Sequence, residues 1–281
     1  MSPGATGGGS VIDTTRIAVL GAAGRMGRAV IDIVAREPDL ELAAAWVREG
    51  DVRSGEPVAS WHPGAADTAA VTSADLDQVL HGADVVVDFS LPVATAAVLE
   101  AVERNRVPLV CGVTGVAQAE LERMGAVAAT VSVVYDRNMS VGVQLLNFLV
   151  REAASRLGAD YDAEITEAHH RAKRDAPSGT ALMLGETLAA ARGESLAEKA
   201  VYAREGESGP RQRGAIGFSV IRAGAIVGEH TVLFGGEYDR LSLMHQAQDR
   251  AAFASGALAA ARWLAGRPPG LYAMADVLGI R

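Results

Sequence analysis

Cysteine is nearly missing from this chain: Cys111 is the only one in 281 residues. A lone thiol closes no intrachain disulfide, so nothing in the sequence points to secretion into an oxidising compartment. Cys111 sits in the apolar run VPLVCGV with no cationic neighbour to lower its pKa, and is expected to be buried and inert. Positive charge is in the minority, with 26 Lys and Arg against 34 Asp and Glu and a net charge of −8. That balance excludes a protein whose main task is binding nucleic acid, though not a local basic pocket for a small anion. No apolar run is long enough to span a bilayer. The first fifteen residues, MSPGATGGGSVIDTT, lack both a basic start and an apolar h-region, and are expected to be a disordered leader, not a signal peptide. The expected location is the cytoplasm.

What is present is the composition of a soluble globular protein, 49% hydrophobic and 21% charged, long enough for two ordinary domains. RIAVLG (16–21) is a β-branched apolar run ending in glycine and predicts a buried strand. Met26, Ala29, Val30, Ile33 and Val34 then recur at helical spacing until Pro38. LELAAAWV (40–47), ADVVVDFS (83–90), VPLVCG (107–112) and VSVVYD (131–136) repeat the strand pattern, with helices between them. Continuous apolar strands alternating with helices predict a parallel sheet covered on both faces.

The pattern changes after Asn138. Residues 141–157 predict one long buried helix, 161–169 a strand, 180–192 a helix, and 193–214 an irregular surface loop. IGFSVIRAG, GEHTVLFGG and DRLSLMHQA follow as strand-like runs whose adjacency favours antiparallel pairing. Residues 251–264 form a last helix, with Gly256, Ala257 and Ala260 facing a close neighbour. The expected fold is α/β: an N-terminal doubly wound, Rossmann-type parallel sheet with a second α+β domain containing an open mixed or antiparallel sheet. The expected division is a leader over 1–15, a dinucleotide-binding domain over 16–139 completed by 250–281, and a substrate-binding and oligomerisation domain over 140–249.

GAAGRMG (21–27) stands between the first strand and the first helix, where a dinucleotide turn belongs. Gly21 permits the tight turn, Gly24 lets the main chain approach a pyrophosphate, and Gly27 lets the helix pack close to the sheet. The helix start then offers free N–H groups to the phosphates. Spacing alone is weak evidence, because it is G-x-x-G-x-x-G; a ligand-free glycine turn has the same letters. At the end of the second strand Val47 occupies the position of an NAD-type acid and Arg48 follows. A guanidinium clamps a 2′-phosphate that a carboxylate would repel, so NADPH is the expected cofactor, with NADH the alternative.

The densest chemistry lies in EAHHRAKRDAPSGTA (167–181). Adjacent histidines on a strand point to opposite faces, and no further ligand follows at metal spacing, which argues against zinc. No aromatics interleave with the charges, which argues against a nucleic-acid patch. PSGT reads as a helix start, with Ser178 as cap and the Gly179 N–H and Thr180 hydroxyl exposed. With His169, His170 and Lys173 close in sequence, it forms an anion site beside proton carriers, suited to a small carboxylate-bearing substrate.

The chain closely resembles the 4-hydroxy-tetrahydrodipicolinate reductase (dihydrodipicolinate reductase) family of diaminopimelate and lysine biosynthesis. GAAGRMGRAVI, VVDFSLP, CGVTG, NMSVGV, EAHHRAKRDAPSGTA, VYAREGESG, IGFSVIRAG, VGEHTVLF and LYAMADVLG carry the resemblance. It implies NAD(P)H-dependent reduction of a cyclic dicarboxylate, with His169 and Lys173 in proton transfer and His170, Gly179 and Thr180 binding substrate. It implies cofactor contacts at Gly21, Ala22, Ala23, Gly24, Arg25 and Met26, at Arg48, at Gly112, Val113 and Thr114, and at Asp136, Arg137, Asn138 and Met139. Arg250 is a further candidate for cofactor or hinge contacts, and the resemblance implies a homotetramer built through the second domain's open sheet. Three departures stand out: Val47 for an acid, Val113 for a second threonine, and Asp136-Arg137 for small uncharged residues. The rival readings are a related NADP-dependent amino-acid dehydrogenase, which is not expected to carry HHRAK and PSGT together, and a non-catalytic dinucleotide-binding sensor, which has little use for Lys173.

Overall fold

A computed structural model describes residues 14–280. The expected leader therefore lies outside the described residues through position 13, while Thr15 already opens the first strand. The first part of the chain runs β1 (Thr15–Leu20), α1 (Arg25–Val34), β2 (Leu40–Trp46), α2 (Val58–Trp61), β3 (Thr72–Ser73), α3 (Leu76–Leu80), β4 (Val85–Asp88), α4 (Thr95–Asn105), β5 (Leu109–Cys111), α5 (Gln118–Val127) and β6 (Ser132–Tyr135). Next come α6 (Val141–Leu157), β7 (Asp162–His169), α7 (Gly179–Ala191), α8 (Leu196–Lys199), β8 (Ala200–Val201), β9 (Ile216–Arg222), β10 (Gly228–Gly235) and β11 (Arg240–Ala247). The chain finishes with α9 (Ala251–Leu264), β12 (Gly270–Tyr272) and α10 (Met274–Leu278).

Seven strands form one sheet in the order β12-β6-β5-β4-β1-β2-β3, and every pairing in it is parallel. Its central strands, β1 and β4 to β6, are mostly apolar because both faces are covered. Side-chain alternation sorts them: Ile17, Val19, Val85, Val87, Val110 and Val134 pack with α1, α9 and α10. Ala18, Leu20, Val86, Leu109, Cys111 and Val133 pack on the other side with α3, α4 and α5. Strand order reverses between β1 and β4, which places a ligand crevice at their carboxyl ends.

The second sheet is mixed, ordered β11-β10-β7-β9-β8. Here adjacency in sequence misleads. β10 and β11 form an antiparallel hairpin, but β9 does not pair with β10; β7 lies between them, parallel to β9 and antiparallel to β10. The central position gives β7 a ladder on both edges, which suits the strand that carries buried charge. Residues 193–214 are also less irregular than expected, since α8 and the two-residue β8 fall inside them and Leu196 packs on the second core.

That core joins Ile165, Ile216, Phe218, Val232 and Phe234 of the sheet to α6 and α7 on one face. Among the described residues no helix covers the opposite face, where Ile221 is 48% exposed and Met244 56%.

Candidate active site

The glycine turn is fixed by steric demand. Gly21 has φ +70°, and a Cβ there would lie 2.7 Å from the carbonyl oxygen of Phe89, the residue after β4. A Cβ on Gly27 would lie 2.4 Å from the Gly21 oxygen. Both glycines bring α1 and β4 up against the end of β1, at the crevice the strand order predicts. Gly24 is the N-cap of α1, no side chain caps the helix, and its first turn holds no acid. The helix start therefore keeps its N–H groups and partial positive charge for an anion.

Around this turn the charges fit a dinucleotide. Burial lowers the pKa of Arg250, and the nearby charge of Arg25 lowers it further, so two cations sit together by the turn. Such a pair suits a pyrophosphate. Arg48 is exposed just beyond β2, while Val47 beneath it is buried at 2% exposure, so no carboxylate occupies that position.

A cleft of about 330 Å³ joins the two parts of the chain. Met26, Gly112, Val113, Thr114, Arg137, Asn138 and Met139 line it from one side and His169, His170, Lys173 and Thr180 from the other. Gly21, Ala22, Ala23, Gly24, Arg25, Arg48, Asp136 and Gly179 do not line it. Ala22 is fully buried, and its N–H donates to the Trp46 carbonyl at 3.1 Å. Phe89, Ser90, Val227 and Phe253 also line the cleft, together with Arg250. The place of Phe89 and Ser90, after β4 at the reversal of strand order, was a signal that could have found them. Val227 and Phe253 carried none.

Asp136 and Arg137 point different ways. The Asp136 carboxylate accepts the Asn138 N–H at 3.2 Å, and burial raises its pKa. Arg137 lines the cleft while its guanidinium donates to Glu186 of α7 at 2.9 Å. Asn138 is the joint. Its Nδ2 donates to Thr180 Oγ1 at 3.0 Å, its Oδ1 accepts the Ser140 N–H at 2.9 Å, and its carbonyl accepts Gln144 Nε2 at 2.6 Å.

On β7, alternation turns Glu167 and His169 inward together, and both are buried. His169 Nδ1 lies 2.5 Å from Glu167 Oε2. The same carboxylate accepts both Arg222 Nη groups at 2.7 Å and the Ser178 N–H at 2.9 Å. Burial pushes the Glu167 pKa up, but hydrogen bonds from Arg222 and His169 outweigh it, leaving the carboxyl below its ordinary range. With an ionised, acceptor-only partner, His169 donates through Nδ1–H, leaving Nε2 as the free position. Burial lowers the His169 pKa, and Glu167 opposes that shift only in part.

His230 packs edge-on to His169 with ring centroids 5.2 Å apart, and its Nε2 is 3.1 Å from Ser178 Oγ. Burial first, then the charge of His169, pushes its pKa down to about 3. Lys173 Nζ is 2.9 Å from Asp175 Oδ2. Ser178 Oγ accepts the Ala181 N–H at 3.1 Å, so it caps α7 without closing the helix start to a ligand at Gly179 and Thr180. The arrangement can hold an anionic group and pass a proton beside it. Glu167, Ser178, Arg222 and His230 had no assigned place in the proton-transfer site from sequence, apart from Ser178 as a cap; Arg222 lies 55 residues from its partner.

Comparison with known proteins identifies the family. Residues 15–139 match the family described as dihydrodipicolinate reductase, N-terminus, and residues 142–278 match its C-terminus. The chain is 48% identical over 267 residues to the 4-hydroxy-tetrahydrodipicolinate reductase of Alkalilimnicola ehrlichii, covering 95% of this chain and 100% of that one. It is 49% identical over 269 residues to the same-named protein of Thiobacillus denitrificans, again covering 95% and 100%. A dipicolinate-bound dihydrodipicolinate reductase from Paenisporosarcina sp. TG-14 shares the fold at a TM-score of 0.74 and 22% identity, over 94% of this chain and 98% of that one.

Proposed function

The chain belongs to the dihydrodipicolinate reductase family, and on that premise we propose how its cleft works. It is an oxidoreductase of diaminopimelate and lysine biosynthesis that uses NAD(P)H and a proton to reduce 4-hydroxy-tetrahydrodipicolinate to tetrahydrodipicolinate, the ring hydroxyl leaving as water. One observation carries the reading of the site: a single cleft joins Met26, Gly112 to Thr114 and Asn138 to His169, His170, Lys173 and Thr180.

The Gly21–Met26 turn, Arg25 and Arg250 hold the pyrophosphate, and Gly112, Val113, Thr114, Arg137, Asn138 and Met139 hold the nicotinamide end. Asp136 serves from behind by fixing the Asn138 backbone. Hydride chemistry comes from the nicotinamide; the chain's own residues bind, orient and move protons. A substrate carboxylate sits at the N-terminus of α7, on the Gly179 N–H and the Thr180 hydroxyl, with His170 beside it. Lys173 Nζ leaves Asp175 to donate the proton, and His169 relays it. The decisive assay follows nicotinamide absorbance with substrate made in situ from pyruvate and aspartate semialdehyde. Oxidation that requires both precursors and the condensing enzyme is the expected result; oxidation independent of the condensing enzyme overturns the reading.

NADPH is the preferred cofactor, supported by exposed Arg48 over buried Val47. Arg48→Ala is expected to cut kcat/KM for NADPH by roughly 10- to 100-fold, the worth of a charge-assisted contact, and to leave NADH use nearly unchanged. A wild-type kcat/KM higher for NADH overturns the preference. The uncovered face of the second sheet, with Ile221 and Met244 exposed, supports a homotetramer assembled there. Sedimentation of Met244→Glu reports on it, since a tetramer that survives the introduced charge argues for another interface.

A further inference from the structure

We propose that Glu167, clamped by Arg222, is a positioning residue that sets His169 and the start of α7 as one unit. The proposal rests on the proton-relay and carboxylate-binding roles given above to His169 and to Gly179-Thr180. The carboxylate is 1% exposed and four donors converge on it: two from Arg222, one from His169 and one from the Ser178 backbone. Two of those donors belong to different functional parts. Nδ1–H of His169 fixes the imidazole tautomer and presents Nε2 as the exchangeable position. The Ser178 N–H fixes the residue just before Gly179, and so the direction in which the α7 amides face.

Arg222 widens the clamp, because its Nη2 also donates to the Asp175 carbonyl at 2.7 Å. Asp175 is the residue whose carboxylate holds Lys173. A single part-buried ion pair thus ties the proton relay, the anion-binding amides and the loop bearing the ammonium into one geometry. Replacing either partner leaves a buried charge or polar group without its complement, and the loosened parts then move independently.

The groups facing His169 are Glu167 on its own strand, Arg222 of β9, His230 of β10 and Lys173 of the following loop. Opposite charges therefore act on one imidazole, and two substitutions read them with opposite sign. Glu167→Gln removes the anion, so the His169 pKa is expected to fall; Arg222→Met removes a cation and unmasks the anion, so it is expected to rise. Each shift is roughly one unit, typical for loss of a neighbouring charge. In the full-length chain, imidazole NMR titration follows His169, with the signal assigned by its absence in His169→Gln.

Kinetics complete the test. Glu167→Gln is expected to lower kcat by roughly 10- to 100-fold, as for a misplaced proton carrier. KM for the dicarboxylate rises, while the Kd for NADPH stays within about twofold. Shifts of the same sign, or none, in folded variants overturn the proposal. Should Glu167→Gln fail to fold, Arg222→Met decides alone: a raised His169 pKa with reduced kcat supports the clamp, and an unchanged pKa overturns it. A slow His169→Gln beside a fully active Glu167→Gln removes the positioning role only. A fully active His169→Gln overturns the relay reading and this proposal with it.

Discussion

The two parts of the chain that meet at the cleft are built by different physics. At Gly21 and Gly27, side chains are excluded: the spaces where Cβ atoms would stand are filled by the Phe89 and Gly21 carbonyls, and the main chain packs against itself. At Glu167–Thr180, side chains do the building, through a buried carboxylate, a guanidinium, two buried histidines and a serine cap. The first half tolerates no added atom but carries little titratable chemistry. The second is sensitive to charge and to pH. On the proposed roles, cofactor binding and proton transfer fall to surfaces that fail for different reasons.

Three experiments sharpen or break that contrast. The largest effect is expected from Lys173→Ala, which removes the ammonium and lowers kcat by roughly 100- to 10,000-fold, with NADPH affinity measured by fluorescence titration nearly unchanged. Equal losses of rate and cofactor affinity would merge the two halves and end the comparison. Gly27→Ala should behave in the reverse manner. Its Cβ meets backbone, which cannot rotate away, so the variant loses about 1–3 kcal/mol of stability and NADPH affinity falls with it. A variant with wild-type affinity and denaturant midpoint would show that the turn has slack.

The smallest effect is acid sensitivity. The His230 pKa is about 3 in the folded chain against 6.5 ordinarily. Its depressed folded value means that below 6.5 the unfolded chain takes up a proton which the folded one refuses. Stability is therefore full above 6.5 and declines as pH falls toward 3. Glu167, also depressed, contributes in a separate window, below its ordinary 4.5. Between pH 6.5 and pH 4.5, His230→Gln should show a shallower fall in thermal midpoint than wild type. An unchanged slope would assign that decline to other groups, with His169 and His245 the next to test.

Legibility in the sequence followed the range of the interaction. Five strands of the parallel sheet could be read because each is largely apolar over its own few residues, whereas β3 and β12, two and three residues long, carry no such run; the helices over 141–157 and 251–264 could be read because their periodicity is local. HHRAK and PSGT could be read because the groups that share a site are also close in sequence. The partner of Glu167 could not, since Arg222 reaches it only when β9 lies beside β7, a pairing that the order of strands along the chain argued against. Asp136 and Arg137 look alike as an inserted charge pair, yet one is turned in upon Asn138 and the other out to Glu186. That division depends on where α7 passes, which no local pattern encodes.

The return of the chain to its first sheet has a consequence during synthesis. β1 to β6 leave the ribosome before any residue of α9 exists, and α9 supplies Ala254, Ala257, Leu258, Ala261 and Leu264 to the apolar face shared with Ile17, Val19, Val85 and Val87. A nascent chain paused anywhere between β7 and β11 has α1 but not α9 over that face. That face is closed only when the final helices dock.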